Sequence, residues 1–209
     1  MMSYEFSFLF PFLLLTLLMQ SLLQWLRKSL HGWRVTFIIC TFSLLVCIVP
    51  VGGMPLARWL ISLNANFSIP LTAVLLAKVW EKATGKVLFD RKTLSAFWLF
   101  GIVMGLLLYP MALGLGPYDP YSLGWKFSLL FVVMMVLTIF LLLKRNRLGI
   151  VLMLCILAYH LRVLESSNFW DYLIDPFFVI VSCFRLLKAG MKINKTGIPD
   201  RRAQKTSAV

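Results

Sequence analysis

The stretch of the sequence with the greatest capacity for chemistry is ESSNFWDYLIDPFF, residues 165–178, which holds three of the eight acidic residues. Two of these acids, Asp171 and Asp175, are four residues apart and would share one face if the segment is helical. Two carboxylates that face one cavity could act as an acid and a base, or could bind an ion. The third acid of the stretch, Glu165, is predicted to lie on the same side.

Basic residues come shortly before these acids. His160 and Arg162 lie near the end of the preceding apolar run, where a charge is costly unless it pairs, reaches the interface or faces a cavity. Arg162 could pair with Glu165 on its own helix, or with Asp171 or Asp175 across the turn. Either pairing would produce a polar pocket that opens at this end of the segment.

Two further charged residues are expected on the same side. Asp119 lies between two prolines in GPYDPY, and Arg58 lies in the connection after the second apolar run. The sequence therefore predicts a polar outer-face site that binds a headgroup, an ion or a partner. Its candidate residues are Arg58, Asp119, His160, Arg162, Glu165, Asp171 and Asp175.

The same segment also has a purely structural interpretation. Asp175 is suited to cap a helix that begins at Pro176, because a residue before proline avoids the helical conformation and proline fits the first helical position. Trp170 and Tyr172, in a short helix or turn after Asn168, would then belong to an aromatic belt at the membrane interface. In this interpretation the acids are caps or are solvated, and they form no site.

Motifs of common catalytic and metal sites are absent from the sequence. It contains no Walker loop, HExxH, GxSxG or paired Asp-rich motif for Mg²⁺ and a diphosphate. Cys40, Cys47, Cys155 and Cys183 lie within apolar runs and form no CxxC pair, so neither a disulfide nor a metal site is expected. We expect no cofactor, and the sequence weighs against an enzyme.

The elements that must position these residues are long apolar segments. The chain is 60% hydrophobic and 14% charged, and its mean hydropathy is +0.86, whereas a soluble domain is about half apolar and about a quarter charged. This composition predicts an all-α bundle of about seven transmembrane helices. The predicted spans are 7–25, 35–51, 67–80, 95–115, 125–143, 148–164 and 176–188. The third and the seventh are short against the roughly 20 residues that a crossing needs.

Basic residues indicate the orientation of the predicted bundle. Arg58, Lys126 and Arg162 are the three of the 21 basic residues that fall on one side, which leaves 18 on the other. Cytoplasmic connections are rich in lysine and arginine, so this split predicts an outer N-terminus and an inner C-terminus. The net charge of +13 is thereby explained by topology and by anionic lipid headgroups, and nucleic acid is not an expected partner.

Domain organisation and location follow from the same pattern. Residues 1–190 are predicted to form a single transmembrane domain, and residues 191–209 a basic cytoplasmic tail that is disordered or lies against anionic headgroups. Gly101 and Gly105 in GIVMG have the spacing of a close helix-packing face. Compact connections and the charge pattern favour a bacterial inner membrane.

Three classes of function are compatible with these observations. The first and favoured class is an accessory or assembly subunit of an envelope-related inner-membrane complex, with a membrane-protein partner. The second is a small transporter or permease whose polar site lies at the outer face, and the third is an enzyme that acts on a lipid or lipid-linked substrate. Asp171 and Asp175 in a cavity with Arg162 would favour the second and third classes, whereas a solvated cluster would leave the first.

Overall fold

The fold is described from a computed structural model, which covers residues 6–26 and 32–196, with side chains up to residue 191. This part of the chain is mostly helical and contains one two-stranded hairpin. The predicted all-α class is therefore confirmed.

Seven helices lie where the seven apolar spans were predicted. They are α1 (Leu9–Trp25), α2 (Trp33–Ile48), α4 (Ile69–Thr84), α5 (Arg91–Ala112), α6 (Leu129–Leu143), α7 (Leu148–His160) and α9 (Pro176–Thr196). The helix α9 continues six residues beyond the predicted domain boundary at 190, and the remainder of the predicted tail, residues 197–209, lies outside the described residues.

Smaller elements fill three of the connections between these helices. An antiparallel hairpin of β1 (Pro50–Val51) and β2 (Met54–Pro55) is followed directly by the short helix α3 (Leu56–Leu63). Gly52 and Gly53 form the two-residue turn with φ values of 59° and 84°, which side-chain-bearing residues rarely adopt. A 3₁₀ helix (Pro120–Gly124) precedes α6, and α8 (Phe169–Leu173) precedes α9. The hairpin and α3 were not predicted from the sequence.

Successive long helices run in opposite directions, so their ends form two groups. At one end, Phe10 in α1 stacks on Phe67 just before α4, with ring centroids 3.5 Å apart, and Asp175 lies at the start of α9. At the opposite end, Lys82 Nζ in the last turn of α4 donates to Gln24 Oε1 in the last turn of α1 at 2.7 Å. We name these the Asp175 end and the Lys82 end.

Basic residues are concentrated at one end of the bundle. Arg58, Lys126 and Arg162 belong to the connections of the Asp175 end. The basic residues at or toward the Lys82 end, within the described side chains, are Arg34, Lys78, Lys82, Lys86, Arg91, Lys92, Lys144, Arg145, Arg147, Arg185 and Lys188. The two ends therefore differ in charge as the sequence pattern predicts.

The sides of the bundle between these ends are strongly apolar. Phe37, Leu106 and Ile180 are 67%, 67% and 64% exposed. Among the described helices, α5 alone is long and apolar enough to cross a membrane by length and composition. The apolar helices α1, α2, α6 and α7 have 17, 16, 15 and 13 residues, which corresponds to about 20–26 Å against about 30 Å of hydrocarbon.

The helices α5 and α9 pack closely against each other. A Cβ atom at Gly101 would lie 2.3 Å from Ser182 Oγ, and one at Gly105 would lie 2.8 Å from Val179 Cγ2. The structure thus places both residues of the GxxxG spacing at the α5–α9 contact, where the absence of side chains lets the two helices approach. Phe178, which is fully buried, lies in the same contact.

Candidate functional site

At the Asp175 end, α8 and the 3₁₀ helix pack on each other. Asn168 accepts from Trp170 N at 3.0 Å as the N-cap of α8, and its Nδ2 donates to Tyr121 O at 2.9 Å. Trp170 Nε1 donates to Pro120 O at 2.8 Å. A Cβ atom at Gly124 would lie 1.7 Å from Asn168 Oδ1, so only glycine permits this contact. The helix predicted after Asn168 is confirmed.

The aromatic residues of α8 are buried. Trp170 and Tyr172 are 3% and 0% exposed, so the prediction that they form part of an aromatic belt is wrong. Both side chains have hydrogen-bond partners inside the protein. Trp170 Nε1 donates to Pro120 O, and the Tyr172 hydroxyl donates to Ser166 O at 3.1 Å. Tyrosine and tryptophan can be buried when their polar groups are satisfied in this way.

Asp175 joins the first turns of two helices. It caps α9 by accepting from Phe178 N at 3.0 Å, as predicted. Its other oxygen accepts from Ser68 N at 2.9 Å and Ser68 Oγ at 2.5 Å, at the start of α4. The residue is 2% exposed, and burial raises the pKa of its carboxyl, while the hydrogen bonds from Ser68 and Phe178 act in the opposite direction.

Asp171 is held differently from Asp175. It is partly buried, and its Oδ2 accepts from the hydroxyl of Tyr121 at 2.9 Å. Burial, together with the charge of Asp171, raises the pKa of Tyr121 to about 12. Tyr121 therefore stays protonated at neutral pH and donates to a carboxylate that has acceptor capacity to spare.

Both carboxylates line one cavity of about 360 Å³ at the Asp175 end. The other polar residues that line it are Asn64, Asn66, Tyr109 and Tyr121, and its apolar wall comes from Leu108, Ala112, Ile174 and Pro176. Asn64 Oδ1 accepts from Asn66 N at 3.2 Å, whereas its buried Nδ2 has no partner in the described part of the chain. None of the described residues that line the cavity is basic.

Three candidates from the end of α7 lie away from this cavity. His160, Arg162 and Glu165 are exposed and do not line it. His160 Nδ1 lies 2.9 Å from Ile156 O on its own helix, not on a neighbouring one. Across residues 6–26 and 32–191, no ion pair joins Arg162 to Glu165, Asp171 or Asp175. The helix α7 ends at His160, and Arg162 has a φ of 51°, so Arg162 and Glu165 do not share a helix.

The two remaining candidates are also outside the cavity. Asp119 is exposed and caps the 3₁₀ helix by accepting from Tyr121 N at 2.9 Å. Arg58 is partly buried on α3. Of the seven predicted residues, the structure brings Asp171 and Asp175 together.

Sequence reasoning missed the neutral residues of the cavity. Asn64 and Asn66 precede α4 in NANFSIP, and Ser68 with Pro70 carries the signal of a helix start. Tyr121 belongs to the proline-flanked turn PYDPY. Neutral hydrogen-bonding groups carry no charge pattern, so only the fold identifies them as neighbours of Asp171.

Comparisons with family models, with curated proteins and with solved structures found no match to this chain.

Proposed function

We propose that the protein is a seven-span integral membrane protein, and that the cavity at its Asp175 end binds a small organic cation from the outer side. In this proposal the cavity is the substrate site of a small transporter or permease in a bacterial inner membrane. The observation that carries it is the cavity itself, where the carboxylate of Asp171 faces uncharged polar groups and apolar wall without a basic residue among those that line it.

The apolar sides and the charged ends of the bundle support the membrane location. Monomeric soluble proteins rarely expose apolar patches larger than a few hundred Å², whereas here α2, α6 and α9 expose large side chains such as Phe37, Leu143 and Ile180. The excess of basic residues at the Lys82 end favours placing that end in the cytoplasm. Helices shorter than the hydrocarbon core are accommodated when flanking residues extend them or the bilayer thins.

The cavity supports a cationic ligand. Its volume of about 360 Å³ fits a small organic molecule better than a bare ion. An ammonium group can donate to Asp171, and Tyr109 and Tyr121, which also line the cavity, have aromatic rings of the kind that attracts cations. Carbonyl and hydroxyl oxygens of Asn66 and the tyrosines supply further acceptors for the other protons of the ligand.

The same geometry favours binding over the other two classes of function. Asp175 already accepts three hydrogen bonds from protein groups, so it is poorly suited to exchange protons with a substrate as a catalytic acid or base. Among the described residues, no lysine or arginine lines the cavity to hold a lipid phosphate. An accessory role would require a contact surface for a partner, and it would give no reason for a polar cavity.

Calorimetric titration of the purified protein in a neutral detergent tests this proposal. The probes are tetramethylammonium, choline and 1,4-diaminobutane, each at constant ionic strength. We expect saturable binding of at least one probe, and we expect Asp171→Asn to weaken it by at least about tenfold, because a charge-assisted hydrogen bond is lost.

Asp119→Asn is the matched control. Asp119 lies at the same end but does not line the cavity, so this variant should bind as the wild type does. If the wild type binds none of the three probes, or if Asp171→Asn binds them unchanged, the cavity is not a cation site.

A further inference from the structure

The Lys82 end contains a second, larger cavity of about 710 Å³ between the last turns of α1 and α4. Its charged residues are Lys78, Glu81 and Lys82, and Gln24 lies across from them. Lys78 forms an ion pair with Glu81 at 2.5 Å, which leaves one positive charge in excess among the described residues that line the cavity. That charge is on Lys82, whose hydrogen-bond partners, Gln24 Oε1 at 2.7 Å and Ser21 Oγ at 3.1 Å, are both uncharged.

An apolar groove of about 360 Å³ adjoins this cavity on the side of the bundle between α2 and α4. Phe37, Leu76 and Trp80 form much of its wall and are 67%, 51% and 45% exposed. Ala83 and Thr84 line both the groove and the polar cavity. The two spaces therefore adjoin each other, and their described residues give one of them a positive charge and make the other apolar.

We propose that these two adjoining spaces together bind one anionic phospholipid. The phosphodiester carries one negative charge and lies against Lys82, and one acyl chain follows the groove between α2 and α4. Charge complementarity argues for this occupant, since the net charge of the lining side chains is opposite to that of the headgroup. The polar-to-apolar order of the surface also matches the order of headgroup and chain along the bilayer normal.

This inference rests on the membrane location in the proposed function, but not on the cation site. The lipid site lies at the opposite end of the bundle from Asp171, and no residue lines both cavities. A variant that abolishes cation binding should therefore leave lipid binding intact. This independence allows the two proposals to fail separately.

Native mass spectrometry of the full-length protein in a neutral detergent tests the lipid site. The probes are phosphatidylglycerol and phosphatidylcholine with the same acyl chains, added in equal amounts. We expect one phosphatidylglycerol to be retained in preference to phosphatidylcholine, and Lys82→Gln to lower that retention about tenfold through loss of a charged contact. Leu76→Trp, which fills the groove without changing charge, should lower retention of both lipids.

Lys86→Gln and Asp171→Asn are the controls. Lys86 is an exposed basic residue of the same end that lines neither space, so its substitution should not change the retained lipid. Equal retention of the two lipids, or retention by Lys82→Gln at the wild-type level, overturns the lipid site. If the protein does not partition with lipid at all, the membrane location fails, and the lipid site fails with it.

Discussion

Two aspartates four residues apart have different roles because different groups donate to them. Asp175 is 2% exposed and accepts from Ser68 and Phe178, so it fixes the starts of α4 and α9. Asp171 is partly buried and accepts from the hydroxyl of Tyr121, which leaves it open to a ligand. The sequence predicts the cap at Asp175, because Pro176 marks the helix start. It does not distinguish the two acids further, since Ser68 and Tyr121 are 107 and 50 residues away.

Removal of the Asp175 carboxylate should strongly destabilise the fold. Asp175→Ala leaves Ser68 N, Ser68 Oγ and Phe178 N without their acceptor in a buried site, which we expect to lower the free energy of unfolding by about 2–4 kcal/mol. Denaturation of the purified protein in mixed detergent measures this value. Asp119→Ala, which removes an exposed cap of the 3₁₀ helix, should cost less. Equal losses in the two variants would show that Asp175 is an ordinary cap.

Asp175 should also make stability depend on pH. Burial raises the pKa of its carboxyl in the folded state, so the folded protein binds more protons than the unfolded chain between the two pKa values. The contribution of Asp175 is therefore fully present below the unfolded pKa and is lost as the pH rises through the folded pKa. Melting temperatures measured from about pH 4 to about pH 8 should fall more for the wild type than for Asp175→Asn. Parallel curves of melting temperature against pH for the two proteins would contradict the raised pKa of Asp175.

At the scale of elements, the seven long helices and the short helix α8 were predictable from the sequence, whereas the hairpin and α3 were not. Apolar runs predicted all seven long helices, and their ends differ from the expected ones by at most four residues, except that α9 ends eight residues later than expected. The helix α8 was predicted from Asn168 and Pro176, but its burial was not, because Trp170 is satisfied by Pro120 O, a contact that only the tertiary fold creates. The eight-residue helix α3 follows the hairpin. The two glycines of the hairpin turn were the only local sequence signal of this region's structure.

The contact between α5 and α9 gives a prediction at this scale. Gly101→Ala places a Cβ atom 2.3 Å from Ser182 Oγ, so the helices must separate or Ser182 must move. We expect a loss of about 1–3 kcal/mol in the free energy of unfolding. Gly190→Ala in α9 is the matched control, because a Cβ there meets nothing within 4 Å, and it should be neutral or stabilising. A destabilised control with an unaffected Gly101→Ala would refute the packing role.

At the scale of the whole molecule, the two ends of the bundle differ in chemistry. The Lys82 end gathers most of the described basic residues, and the Asp175 end presents a cavity with two carboxylates. Charge counts along the sequence predicted this asymmetry, since helix alternation converts chain order into sidedness. The sequence did not predict the composition of either cavity, because each draws on segments that are distant along the chain. In the proposed orientation, a membrane separates these two ends, so that the two cavities lie on opposite sides of it.

Cysteine labelling in intact bacterial cells tests that claim most directly. The native cysteines are replaced by alanine, and a single cysteine is introduced at Ser167, at the Asp175 end, or at Lys86, at the Lys82 end; both positions are exposed. A membrane-impermeant maleimide should label Ser167→Cys in intact cells, and Lys86→Cys only after the cells are permeabilised. Labelling of Lys86→Cys in intact cells, or recovery of the protein in the soluble fraction, would contradict the account.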